Sequence, residues 1–184
     1  MVGEPGNRRL TILDAMIFVA AVAVAIVGTR FMLSLLPMKT SWWGVTALFG
    51  SVPVVLSFTL AHILIRLRQP RPPVSRLCRQ PGWLASIMVV TALAIGIALR
   101  LLTVISMVTR SPAMKADEVL KFLSRQVLLP LPYYALYAVA AAWITLVLVG
   151  CWEPERGWID RLGRLMGLYW LAYPFIDWIV GHMG

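Results

Sequence analysis

The side chains with most chemistry to offer are few and sit in long apolar surroundings: Asp14, Arg30, His62 and Arg100. Polar groups inside apolar runs are functional candidates by default, because burying them in hydrocarbon is costly. Arg100 lies about 7 Å from the centre of its run at 1.5 Å per residue, and apolar sequence (LLTVISMV) continues beyond it for about two turns. A guanidinium at that depth costs about 2.5–3.5 kcal/mol on insertion scales before a partner is found. It is expected to face a bundle interior, a wet cavity, an anion or a lipid headgroup, or else to snorkel to the interface. The other spans offer no acid at its depth, so its partner is expected at Asp117 or Glu118 of the next loop, or outside the chain. Arg30, about 10 Å from the centre of its own run, reaches the interface by snorkelling and is the second candidate contact for an anion, lipid or partner.

Thr11-x-x-Asp14 matches a capping box, in which the two residues satisfy each other's backbone N–H groups and place negative charge at the positive end of the helix dipole. His62 is expected to be a hydrogen-bonded packing residue, bonded to a carbonyl or forming a pair with Asp14 at similar depth. Two imidazoles, His62 and His182, could ligate haem iron from opposite sides. That reading ranks last, because no histidine pair has metal-ligand helical spacing, and no other cofactor or metal is expected. Cys78 and Cys151 form no C-x-x-C and have no second ligand beside them, so neither a disulfide nor a thiol-redox enzyme is expected. The chain has no G-x-S-x-G, H-E-x-x-H, P-loop or paired intramembrane aspartates, and a non-enzymatic protein is expected.

The elements that must hold these side chains follow from composition. Of 184 residues, 60% are hydrophobic and only 14% charged, with a mean hydropathy of +0.80. A soluble domain is nearer about 45–50% apolar and 25% charged, so a soluble enzyme, a disordered chain and a nucleic-acid binder are all disfavoured. A membrane-crossing helix needs roughly 20 mostly apolar residues. Residues 10–36, 42–65, 83–108 and 131–149 meet that length. No A-x-A cleavage pattern follows the first, which reads as an uncleaved span behind a short N-terminus, 1–9. Pro53 is expected to kink the second span. Residues 165–180 (LMGLYWLAYPFIDWIV) are interrupted by Pro174 and Asp177 and rich in Tyr and Trp; they suit an interfacial helix in a C-terminal segment 150–184, with a fifth span as the alternative.

Net charge is +9, from 17 basic and 8 acidic residues. The larger share of the arginines falls in residues 1–9, 66–82 and 150–164, on one side of a four-span topology. The positive-inside rule then places both termini in the cytoplasm, and a cell inner membrane is expected because no eukaryotic targeting signal is apparent. The loop 66–82 (RLRQPRPPVSRLCRQPG) carries Arg66, Arg68, Arg71, Arg76 and Arg79 and no acid, so its arginines are expected to meet anionic lipid headgroups. Residues 111–129 begin with Ser111 as N-cap and Pro112 at the first helical position, and read as an amphipathic helix on the outer face.

The expected fold is therefore an all-α integral membrane protein: a four-helix transmembrane bundle with an outer amphipathic helix and a C-terminal interfacial helix. The expected role is an accessory or scaffold subunit of a larger membrane complex, partnered by the lipid bilayer and other membrane subunits. The second reading is a small transporter or lipid- or anion-binding protein using Arg100, and the third a haem-binding redox subunit using His62.

Overall fold

The computed structural model describes residues 11–35, 43–68, 73–110, 130–155 and 157–182. These form six helices: α1 (Ile12–Leu35), α2 (Trp43–Leu67), α3 (Val74–Leu77), α4 (Pro81–Arg110), α5 (Leu131–Leu148) and α6 (Trp158–His182). Among the described residues there is no strand. Stretches of α1, α2, α4 and α5 are long and apolar enough to cross a membrane: Ile12–Ser34, Thr46–Leu67, Pro81–Met107 and Leu131–Leu148. They coincide with the four apolar runs of the sequence to within a few residues. The expected outer amphipathic helix, 111–129, lies outside the described residues.

Local chemistry sets the helix ends. Thr11 N–H donates to Asp14 Oδ2 at 3.0 Å and Asp14 N–H to Thr11 Oγ1 at 3.3 Å, the reciprocal capping box. Pro81 begins α4, where its missing N–H is harmless. Gly150 ends α5 at φ +70°. It places its own N–H on Val147 O and the Cys151 N–H on Leu146 O, which satisfies two carbonyls that the helix end would orphan.

The core is built by α2, α4, α5 and α6. Leu48, Val52, Val89, Leu93, Ala135, Val139, Trp170 and Tyr173 meet in one buried cluster. Helix α6, which holds residues 165–180, packs lengthwise along α4, and the span-length apolar stretches among the described residues do not include it. Its first turns sit on the first turns of α4, where a Cβ on Gly163 would stand 2.6 Å from Gly82 O and one on Gly167 3.2 Å from Ala85 Cβ. Its far end meets the start of α5, where Tyr133 Oη donates to Asp177 Oδ2. The physical reason is the pair Gly163-x-x-x-Gly167: without side chains at these two positions, backbones approach closely where no hydrophobic effect drives helices together. Twenty-five residues at 1.5 Å each give a length of about 37 Å.

Helix α1 is peripheral. It packs chiefly on α2, where Ala21 and Ala25 are buried and Gly28 leaves space for the Pro53 ring. Thr29 Oγ1 donates to Gly50 O at 3.0 Å, on the turn before Pro53.

Candidate functional site

Polar side chains collect at the two ends of the bundle. The arginine-rich end is formed by the close of α2, by α3 and the start of α4, and by the stretch from Gly150 into α6. Here Arg66, 7% exposed, donates from Nη1 and Nη2 to Glu155 Oε2, both at 3.1 Å. Arg76 Nε holds the other carboxylate oxygen of Glu155 at 3.0 Å. Arg79 is tied to Glu153 twice, by an ion pair of 3.1 Å and through its carbonyl, which accepts the Glu153 N–H. Asp160 is fully buried. Its Oδ1 accepts from Gly82 N–H and its Oδ2 from Glu155 N–H, each at 3.2 Å, and Arg164 Nε lies 3.2 Å from Oδ2.

Asp14 Oδ1 takes Arg68 Nη1 at 3.3 Å, and the same nitrogen donates to Thr11 Oγ1 at 2.8 Å. The capping carboxylate thus also pins the end of α2. His62, also fully buried, has Nδ1 2.8 Å from Ser86 Oγ, and the Ser86 hydroxyl reaches Gly82 O at 3.1 Å. His62 Nε2 has no hydrogen-bond partner among the described residues. The expected Asp14–His62 pair is not formed: each group has taken a different partner, because Arg68 and Ser86 lie closer on the helices that close over them. His62 and Ser86 have the atoms of a base and a nucleophile, but both are sealed from solvent. They tie α2 to α4.

The described loop arginines that were expected to meet lipid headgroups also hold carboxylates of this chain, and all but Arg66 stay partly exposed. Arg66 is buried against Glu155, while Arg68, Arg76 and Arg79 each hold a carboxylate; Arg71 lies outside the described residues. Of the acids responsible, Glu153 and Glu155 are brought to the loop by the turn after α5, and Asp14 by the start of α1.

The opposite end holds Arg100. Its Nε and Nη2 both donate to Tyr134 Oη, at 3.2 and 3.0 Å. The ring reaches that point because residue 96 is glycine: a Cβ there would stand 2.7 Å from Tyr134 Cδ2. The neighbouring Tyr133 points to α6 and donates to Asp177. Carrying the α4–α6 register upward sets Asp177 level with Gly96, about one turn, ~5.4 Å, short of Arg100. The acids expected to partner Arg100, Asp117 and Glu118, lie outside the described residues. Arg30 is exposed on α1. His182 stacks on Trp178 with ring centroids 4.5 Å apart, at the far end of α6 from His62, so the two imidazoles are not brought to one iron.

Asp177, Tyr133, Tyr134, Glu155 and Asp160 are the residues that sequence reasoning passed over. Asp177 carried a signal, an acid within an aromatic-rich apolar run, which counts against a span only if nothing in the bundle can receive it. Comparison with protein-family models, curated proteins and solved structures finds no match to this chain.

Proposed function

We propose that this chain is a non-enzymatic subunit of a membrane assembly, in which the α2–α4–α5–α6 core is a rigid platform and α1 an arm that receives a neighbouring membrane protein. The observation that carries this is the one-sided packing of α1. The helix is attached chiefly through α2, and Val19 and Val27 stand 71% and 68% exposed on its free side. In this reading α6 crosses the membrane as a fifth span, parallel to α4, with the arginine-rich end in the cytoplasm and the C-terminus on the opposite side. A photo-crosslinking residue at position 19 or 27, in cells, is expected to trap one defined protein in each case. Adducts to lipid alone overturn the proposal.

A further inference from the structure

Both cysteines of the chain line one cleft. It has a volume of about 510 Å³ and lies between α4 and α5 at the arginine-rich end, within the ~300–1,000 Å³ range of sites that hold a small ligand. Its walls divide along the helix axes. Leu84, Met88, Ala142 and Leu146 make an apolar floor within the membrane-length part of α4 and α5. Ser75, Cys78, Arg79 and Cys151 make a rim from the segments that flank those helices. An apolar trough that opens at a cationic rim matches the profile of a phospholipid, tail inward and phosphate outward.

The rim selects the occupant, because lipid tails are as apolar as the floor and gain nothing by entering it. Arg79 is the cation of the rim. Its partner Glu153 is 59% exposed and Arg79 itself 52%, and an exposed pair of this kind exchanges readily for a competing anion. A guanidinium binds phosphate through two parallel N–H bonds, and the Ser75 hydroxyl stands on the same rim as a further donor. Anionic lipids enrich the leaflet that faces clustered arginines.

We infer that the α4–α5 cleft is a binding site for one anionic phospholipid, with an acyl chain along Leu84, Met88 and Leu146 and its phosphate at Arg79. The site is independent of the α1 surface. Cys78 and Cys151 flank it, so an occupant shields both thiols together.

The test uses those thiols. Full-length protein in nanodiscs of phosphatidylcholine, with or without phosphatidylglycerol of the same chains, is reacted with a neutral maleimide; Cys78→Ser and Cys151→Ser variants report each thiol alone. Phosphatidylglycerol is expected to slow both reactions about tenfold, the protection a site gives when its ligand stands near ten times Kd. Arg79→Gln and Ala141→Trp, both at exposed lining positions, are expected to remove that dependence on lipid composition, and native mass spectrometry to show loss of a retained phosphatidylglycerol. Equal rates in the two bilayers overturn the inference. So does slowing of one thiol only, or slowing that persists in both variants, which would reflect the charge of the bilayer surface. Unfolding transitions equal to that of the parent protein confirm that the variants fold.

Discussion

The two ends of the bundle treat charge in opposite ways. At the arginine-rich end each carboxylate meets a guanidinium directly: Asp14 with Arg68, Glu153 with Arg79, Glu155 with Arg66 and Arg76, Asp160 with Arg164. At the opposite end Arg100 and Asp177 are each capped by a tyrosine, and the two tyrosines are neighbours in sequence. The buried members of this set fix where helices end, while Arg79–Glu153, more than half exposed on both sides, is the loosest of them. A tyrosine hydroxyl brings a hydrogen bond without bringing a second charge. The ties that α5 makes to Arg100 and to α6 are therefore of a different kind from the ion pairs at the first end.

The sharpest way to break this contrast is at Asp160. Its two oxygens serve two backbone N–H groups and lie beside Arg164, whose own side chain is 31% exposed. Asp160→Ala leaves both N–H donors without an acceptor, at about 1–3 kcal/mol each, and the sum is expected as destabilisation in reversible unfolding, with loss of α6 packing. Next in size is Gly167→Val. A Cβ at this position meets the Trp143 ring at 2.5 Å, and overpacking of about 1–3 kcal/mol is expected. Equal stability would show that α6 is not seated against α4 and α5.

The spans were legible because each is a continuous apolar run, and the capping box because its two residues lie on one turn. What was hidden is long-range pairing. Arg66 and Glu155 are 89 residues apart, so nothing in the acid-free loop itself announces its counter-ions beyond α5. Pro174 and Asp177 interrupt the apolar run of α6, yet Pro174 sits inside the helix without ending it, and Asp177 accepts from Tyr133. Gly163 and Gly167 announced the close approach, but they fall at the polar start of the segment, away from the run that was weighed. Tyr134, which accepts from Arg100, comes from the next long helix and has no motif.

At the tyrosine-capped end, Tyr134→Phe removes the acceptor shared by two Arg100 donors. A double-mutant cycle of Tyr134→Phe with Arg100→Leu is expected to give a coupling of about 0.6–1.7 kcal/mol, the range for hydrogen bonds between membrane helices. A coupling that matches the cost of Asp160→Ala would erase the distinction between the two ends.

The smallest effect is expected within the arginine-rich end itself, and it separates its ties from one another. The Arg79–Glu153 pair is more than half exposed on both sides, whereas Arg66 is 7% exposed where it grips Glu155. Water and salt screen the first pair and reach the second only from the Glu155 side. A cycle of Arg79→Ala with Glu153→Ala should therefore couple by less than about 1 kcal/mol and fade in high salt, while the cycle of Arg66→Ala with Glu155→Ala should exceed it and persist. If salt weakened both alike, burial would not be what makes this end a clasp, and the Arg66–Glu155 tie would be a surface pair like any other.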